Sequence, residues 1–220
     1  MKTFGIIGDS YSTYKGFVPE DYASWYADGG NECENDLAGV ENTWWKRFEK
    51  ESGLELVTNC SFSGSAVSYS GYPEMDRVKT SFIYRMKREL GENSPKPDLI
   101  LIFSGTNDFW AGAPVGRTKY GFWNADDFKS FGPSFCYMLS YLQKYNPESK
   151  FINLINDEIT SEIREIQLEA CDHFDVECLM LKSIEKQNGH PNTAGMRSIA
   201  EQLTMTYGLM MEKIDRGIKN

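Results

Sequence analysis

The sequence is poor in the residues that build metal and redox sites. It has only two histidines, and no Cys-x-x-Cys pair occurs in its 220 residues. A zinc site needs several such ligands close together, so we expect no metal. Five widely spaced cysteines, an odd number, indicate reduced, partly buried thiols in a cytosolic protein. They are Cys33, Cys60, Cys136, Cys171 and Cys178.

Long apolar runs and an excess of positive charge are also lacking. No apolar run approaches the ~20 residues that span a bilayer, and no basic and apolar leader precedes the first predicted strand. This pattern predicts a cytoplasmic protein, although a leader removed beforehand would leave the same pattern. The formal charge of -9 would repel phosphate backbones and anionic lipids. We therefore expect no nucleic-acid and no membrane partner, while the oligomeric state stays open.

Short apolar runs alternate with helical spacing along the chain. Without repeats, linkers or low-complexity segments, one domain over residues 1–220 is expected. Helices are predicted near 20–26, from 42–43 to 52, over 77–90, over 126–145 in two parts, from 160–161 onward and from 192 onward. The predicted strands are 4–7, 54–58, 98–103, 151–155 and 176–181. This alternation predicts an α/β fold with a doubly wound parallel sheet of flavodoxin-like type, a three-layer α/β/α arrangement with five strands.

Ser10 follows the first predicted strand directly, in the string Gly8-Asp9-Ser10. In open α/β sheets ligands bind beyond the carboxyl ends of the strands, where a serine hydroxyl is well placed to act as a nucleophile. A serine after a strand is also a common helix cap or turn residue. The short string alone leaves both interpretations open.

Three further polar positions follow the same logic. A segment of small residues around Gly64 follows the second strand and either presents backbone N–H groups to a ligand or is a flexible connection. Asn107 follows the third strand, and His190 precedes the last helix. Acyl transfer needs a hydroxyl, a base and N–H donors for the developing oxyanion, and each is available here. Taken singly, Asn107 is equally a turn residue and His190 a helix-start residue, while Asp108 is expected to hold its loop.

Four short strings in a fixed order carry a family resemblance. They are Gly8-Asp9-Ser10, Asn59 with Gly64 five residues later, Gly105-Thr106-Asn107-Asp108, and His190-Pro191-Asn192. This pattern resembles the four sequence blocks of the SGNH hydrolases, also called GDSL-type esterases and lipases, from about residue 3 to residue 200. The resemblance implies the flavodoxin-like strand order 2-1-3-4-5.

The resemblance also implies a role for each matching residue. Ser10 would be the nucleophile and its own N–H one oxyanion donor. The Gly64 N–H and the Asn107 side-chain amide would be the second and third donors. His190 would be the general base and then the acid that protonates the leaving alcohol. This chemistry requires no metal or organic cofactor.

One position departs from the family pattern. The family usually has an Asp three residues before the catalytic histidine, where this sequence has Gln187. In serine proteases, loss of the Asp that orients the histidine costs roughly 10⁴ in kcat. Three alternatives remain: a Ser-His dyad oriented by Gln187 or by a backbone carbonyl, a substitute carboxylate such as Glu185, or a weakened or inactive enzyme.

Aromatic residues near the strand ends bear on the substrate. Each Trp taken singly is a core residue, but together they predict a ring-lined cleft that stacks sugars or encloses acyl chains. The predicted substrate-binding residues are Asp9, Tyr14, Trp25, Trp110 and Trp123. With an acidic loop beside them, they favour a short acyl ester, such as acetyl, on a carbohydrate or another small molecule.

Other functions stay open at this point. Within the hydrolases, the alternative is a longer-chain esterase, thioesterase or lipase. The missing acid also allows a catalytically impaired relative that only binds a ligand. A third interpretation treats Ser10, Ser12 and Thr13 as a phosphate-binding loop for a flavin, because the same fold can hold flavin mononucleotide after its first strand.

Overall fold

A five-stranded parallel sheet forms the centre of the molecule. The computed structural model describes residues 1–29 and 35–217. The strands of the sheet are β1 (Thr3–Gly8), β2 (Glu55–Ser61), β3 (Leu99–Phe103), β4 (Lys150–Ile155) and β5 (Glu177–Met180). Their order is β2-β1-β3-β4-β5, and all four pairings are parallel. The predicted flavodoxin-like fold and strand order are confirmed.

Helices cover both faces of this sheet. They are α1 (Trp44–Ser52), α2 (Phe82–Glu89), α3 (Thr106–Trp110), α4 (Phe131–Tyr145), α5 (Ser161–His173) and α6 (Thr193–Asp215). Side chains of α1 and α6 form the core on one face, and those of α2, α4 and α5 form the core on the other. β3 is wholly buried because it lies between β1 and β4 with helices on both faces.

Local sequence signals set several helix ends as predicted. Thr43 caps α1, and Gly53 ends it in the left-handed region at φ 71°. Thr160 caps α5, and Asn192 caps α6 by accepting the N–H of Gly195. A 3-10 turn, Asp127–Lys129, precedes α4, which confirms the interrupted helix.

Three predictions of secondary structure were wrong. Residues 20–26 form no helix: a turn at 20–21 is followed by irregular chain, from which Tyr22 packs on one core cluster and Trp25 and Tyr26 on the other. The helix expected over 77–90 begins only at Phe82, after hydrogen-bonded turns at 78–81. The short helix α3, Thr106–Trp110, lies where no helix was predicted.

A two-stranded hairpin lies before α6 and was not predicted. Its strands are β6 (Lys186–Gln187) and β7 (His190–Pro191), each too short to give a periodic pattern. Asn188 and Gly189 make the turn, both with positive φ.

The described cysteines are free thiols. Cys60, Cys136 and Cys171 are buried and Cys178 is partly buried. Cys33 lies outside the described residues. Within the described ranges, no group of three or more potential ligands could hold a metal ion. No helix among those residues is both long enough and apolar enough to cross a membrane.

Candidate active site

Ser10 lies immediately beyond the carboxyl end of β1, in a short 3-10 helix, Ser10–Ser12. The Asp9 carboxylate caps this turn by accepting the N–H of Tyr11 at 3.0 Å. Gly8 ends the strand where space is scarce, since a Cβ there would lie 2.6 Å from Ser12 Oγ and 2.8 Å from Ser61 Oγ. The glycine therefore allows the chain to turn sharply and to present the Ser10 hydroxyl at the edge of the sheet.

The hairpin brings His190 to Ser10 from 180 residues away. The Nε2 atom of His190 lies 2.9 Å from Ser10 Oγ, and its Nδ1 atom lies 3.1 Å from the carbonyl oxygen of Asn188. A carbonyl oxygen can only accept, so Nδ1 carries the proton and donates it to Asn188. Nε2 is then free to accept the hydrogen bond from the Ser10 hydroxyl, which is the geometry of a nucleophile and its base.

Aromatic rings enclose the His190 imidazole. The Trp25 ring is stacked on it, with centroids 3.6 Å apart and planes 8° apart. The rings of Tyr11 and Trp110 approach edge-on at 5.3 and 5.7 Å. Burial among these rings lowers the pKa of His190 to about 4, although the hydrogen bond to Asn188 opposes the shift. The imidazole is therefore neutral at pH 7, as a general base must be.

Potential oxyanion donors follow β2 and β3, which both pair in parallel with β1 and so end at the same edge of the sheet as Ser10. Asn107, in the first turn of α3, is 2% exposed, and its side-chain amide donates to the Ser65 carbonyl at 3.0 Å. That amide has a second N–H. Gly64 has a φ of 82°, a conformation that favours glycine. Among the residues that the structure describes, no acceptor takes the backbone N–H of Ser10 or of Gly64.

A buried carboxylate holds the segment that follows Gly64. Asp108 accepts the N–H groups of Val67 and Ser68 at 2.8 and 3.2 Å and the Ser68 hydroxyl at 3.0 Å. Burial raises its pKa to about 6, and these hydrogen bonds limit the rise. These contacts support the predicted structural role of Asp108, but the segment that its side chain holds is that of Val67 and Ser68 and not its own loop.

A segment between β1 and α1 ties the hairpin in place. The Tyr11 hydroxyl donates to the Gly189 carbonyl at 2.6 Å, and the Tyr26 hydroxyl donates to the Pro191 carbonyl at 2.8 Å. The backbone N–H of Asp36 donates to Gln187 Oε1 at 2.7 Å. The aromatic segment predicted to be a substrate wall is therefore also the support of His190.

Two residues predicted to bind substrate are buried in the protein instead. Asp9 is 0% exposed and caps the 3-10 helix, and burial raises its pKa to about 7. Tyr14 is 1% exposed, and its hydroxyl donates to Asp28 at 2.6 Å. Both side chains therefore have structural contacts within the protein, and neither presents an exposed surface.

The three predicted tryptophans have three different positions. Trp25 is stacked on His190 rather than forming an open wall. Trp123 packs on Tyr137 of α4 at 5.5 Å, and its indole N–H donates to the Lys119 carbonyl, so it belongs to the α4 face. Trp110 is 38% exposed beside His190 and remains a candidate for substrate contact.

The Gln187 side-chain oxygen accepts the Asp36 N–H, and the Glu185 carboxylate accepts a hydrogen bond from the Asn192 side chain. Among the residues that the structure describes, neither side chain is hydrogen-bonded to His190. Of the alternatives left by the sequence, the contact at His190 Nδ1 corresponds to a backbone carbonyl, that of Asn188.

Two residues of the site were missed in the sequence. Asn188 contributes only a backbone carbonyl, for which side-chain chemistry gives no signal. Arg85 is completely buried beneath the site and donates to the Gly8 carbonyl at 3.1 Å. Its signal was its position among Phe82 and Met86 on the apolar face of a predicted helix, where an arginine is unusual.

Comparisons with known proteins agree with this geometry. The family model described as GDSL-like Lipase/Acylhydrolase matches residues 2–207. A crystal structure assigned as a GDSL-like lipase from Bacteroides uniformis is 42% identical, with a TM-score of 0.88, covering 95% of this chain and 96% of that one. Another from Bacteroides ovatus is 36% identical, with a TM-score of 0.89 and coverages of 95% and 99%.

Structures with much lower sequence identity are similar to this chain in fold only. The acetyl xylan esterase Est2A from Butyrivibrio proteoclasticus is 15% identical, with a TM-score of 0.63, covering 96% of this chain and 64% of that one. No curated protein matches the sequence. The family model and the two Bacteroides structures confirm the resemblance drawn from the four sequence strings: the chain belongs to the GDSL-like lipase/acylhydrolase family, which assigns it to the ester hydrolases.

Proposed function

We propose that the protein is a serine esterase that removes a short acyl group, such as acetyl, from a carbohydrate or another small alcohol through an acyl-enzyme on Ser10. The observation that carries this proposal is the 2.9 Å contact between Ser10 Oγ and His190 Nε2, with Nε2 in the unprotonated form. The backbone N–H groups of Ser10 and Gly64 and the second N–H of the Asn107 amide have no acceptor among the described residues, so they are available to bind an oxyanion.

The first half of the reaction forms the acyl-enzyme. Ser10 Oγ attacks the ester carbonyl carbon as its proton passes to His190 Nε2. The carbonyl oxygen becomes an oxyanion that the N–H groups of Ser10 and Gly64 and the Asn107 amide can stabilise. When the intermediate collapses, the bond to the leaving alkoxide breaks, and the imidazolium returns its proton to that oxygen.

The second half repeats these steps with water. His190 Nε2 takes a proton from a water molecule, whose oxygen attacks the acyl carbon. The same donors stabilise the second oxyanion. Collapse breaks the bond to Ser10 Oγ, which regains its proton from His190, and the carboxylic acid is released. No group outside the chain and the substrate is required.

Among residues 1–29 and 35–217, no carboxylate is hydrogen-bonded to the His190 ring that becomes the imidazolium. The Asn188 carbonyl accepts the Nδ1 proton and so fixes the tautomer, which is part of what an orienting Asp does. The face of Trp25 supplies the other support, because an aromatic face attracts a cation at this distance. We therefore propose a Ser-His dyad oriented by a main-chain carbonyl and a stacked indole.

The substrate class rests on the exposed rings beside the site. Trp110 and Phe109 are each 38% exposed at the end of α3, which offers an apolar surface of the kind that packs on sugar rings. The chain carries a net charge of -9, which disfavours anionic substrates. Est2A, which has a similar fold, is named as an acetyl xylan esterase, and this supports the choice of a short acyl group.

A comparison of acyl donors tests this proposal. The protein should hydrolyse p-nitrophenyl acetate faster than p-nitrophenyl octanoate and should release acetate from acetylated xylo-oligosaccharides. Ser10→Ala should abolish both activities. A fluorophosphonate probe should label the protein but not Ser10→Ala. Folded protein that is not labelled and hydrolyses none of these esters would support a second candidate function, a relative that only binds a ligand. The observation that favours this candidate is Gln187 at the position where the family usually has the orienting Asp.

A further inference from the structure

A fully buried cation lies beneath the candidate active site. The Arg85 side chain, on α2, is 0% exposed, and no ion pair within residues 1–29 and 35–217 includes it. Burying a guanidinium costs several kcal/mol unless hydrogen bonds replace its water. Its hydrogen bonds therefore indicate what it does.

Every strong acceptor of Arg85 is an oxygen of the surrounding segments. Nε donates to the Thr80 carbonyl at 2.8 Å, which is local to α2. Nη1 donates to the Cys60 carbonyl near the end of β2. Nη2 donates to the Gly8 carbonyl at 3.1 Å and to the Ser65 hydroxyl at 2.9 Å. One planar group thus joins β1, β2 and the segment after β2.

These acceptors flank the two backbone oxyanion donors. The Gly8 carbonyl lies two residues before the Ser10 N–H, and Ser65 follows Gly64 directly. Gly64 is in a turn closed by the Ser65 N–H on the Phe62 carbonyl. The guanidinium fork has rigid geometry, so it sets the separation of the two segments more narrowly than a flexible contact would.

Packing alone does not account for a charged residue at this position. The guanidinium carbon lies 4.8 Å from the Phe82 ring centroid and 5.6 and 6.0 Å from those of Tyr22 and Phe62. A methionine would fill a similar apolar space without the cost of burying a charge. Only the hydrogen bonds and the positive charge distinguish arginine from methionine here.

We propose that Arg85 is a positioning residue that holds the backbone N–H groups of Ser10 and Gly64 at the separation required to bind the oxyanion. This inference rests on the proposed esterase function. Oxyanion donors act mainly in the transition state, so a change in their separation lowers kcat more than it alters KM.

The test compares variants that remove these bonds in steps. Arg85→Met should lower kcat for p-nitrophenyl acetate by roughly 10²-fold, the effect of one oxyanion donor, with KM changed less than about threefold. Ser65→Ala removes one bond and should lower kcat by about three- to tenfold. Arg85→Lys should restore part of the loss of Arg85→Met, because an ammonium can still donate to some of the same oxygens.

A matched control separates positioning from folding. Ser134 is a fully buried serine on α4 whose hydroxyl has no hydrogen-bond partner in the described part of the chain, so Ser134→Ala should leave kcat unchanged. Rates are divided by the number of sites that a fluorophosphonate labels at completion, so unfolded protein does not count. If Arg85→Met does not fold, Ser65→Ala against Ser134→Ala still decides the question.

The outcomes distinguish this inference from the function beneath it. The positioning role alone would be overturned if the wild-type protein shows Ser10-dependent hydrolysis while kcat per labelled site is unchanged in the folded Arg85 variants or in Ser65→Ala. Wild-type protein without Ser10-dependent hydrolysis or labelling would overturn both. A loss confined to thermal stability would assign Arg85 to the fold and not to the oxyanion site.

Discussion

Replacing Gln187 by alanine is a direct test of how His190 is oriented. If the amide at this position acted as the missing acid, its loss would approach the roughly 10⁴ in kcat that removal of the orienting Asp costs in serine proteases. In the structure, Gln187 Oε1 instead accepts the Asp36 N–H at 2.7 Å, and His190 Nδ1 donates to Asn188. The substitution therefore removes a bond between the hairpin and a neighbouring segment.

The expected magnitude follows from that single bond. One neutral hydrogen bond contributes ~0.5–1.5 kcal/mol to stability, and tenfold in rate corresponds to ~1.4 kcal/mol. Even if its whole loss were felt at His190, kcat/KM would fall by no more than about tenfold. The free energy of unfolding should fall by about 1 kcal/mol.

Two measurements on Gln187→Ala are needed. Hydrolysis of p-nitrophenyl acetate gives kcat/KM, and urea denaturation gives the free energy of unfolding. Ser10→Ala provides the background rate. A fall of 10³ or more in kcat with the fold intact would refute the reasoning, since it would mean that the side chain at this position orients His190 during the reaction.

Three further predictions concern the ring stacked on His190, the protonation of His190, and two glycines of the fold. Trp25→Leu should lower kcat by about tenfold, because stacking and cation–π contact contribute ~1–2 kcal/mol, whereas Trp123→Leu should not; equal rates in steady-state assays would contradict this. Because burial lowers the pKa of His190 to about 4, its ring signal in an NMR titration should shift only below about pH 5, where kcat/KM loses the neutral base. An inflection of that signal near 6.5 would contradict the effect of burial, whereas a change in kcat/KM between pH 6 and 7 would report Asp9 and Asp108, whose pKa values burial raises. Gly8→Ala should lower the free energy of unfolding by ~1–3 kcal/mol through overpacking against Ser12, and Gly208→Ala in α6 should raise it by ~0.5–1 kcal/mol, as urea titrations can decide; a neutral Gly8→Ala would show that its neighbours yield.

The main site residues could be predicted because parallel strands share one edge. Ser10, Gly64 and Asn107 each follow a strand whose apolar run is clear in the sequence, so the topology brings them together without detailed packing. The prediction that His190 contacts Ser10 came from the order of the four sequence strings, because the residues around the histidine give no such signal by themselves.

The supports of His190 could not be predicted in the same way. The Asn188 contact is made by a backbone carbonyl, and the stacked Trp25 comes from an irregular segment without periodicity. Residue type alone could not distinguish a ring that packs on His190 from one that faces a substrate. For the same reason Tyr14 and Trp123 were assigned to the cleft although they pack elsewhere.

The errors in secondary structure have a related cause. The apolar spacing of Val78 and Phe82 fits one helix, but the Val78 side chain is 43% exposed. Val78 begins a turn that the Ser81 N–H closes, and α2 starts only after that turn. Only the apolar positions from Phe82 onward reach the core. Periodicity identified the helix, while tertiary packing decided where it begins.

The sequence distance between Ser10 and His190 has a consequence for folding. Their contact spans 180 residues, so loop closure between them is favourable only once the intervening strands and helices have assembled. Recovery of esterase activity during refolding should therefore lag behind the recovery of helical circular dichroism. Catalytic turnover would therefore report the last step of assembly. A chain in which α6 has not yet docked would show no esterase activity, even with the sheet fully formed.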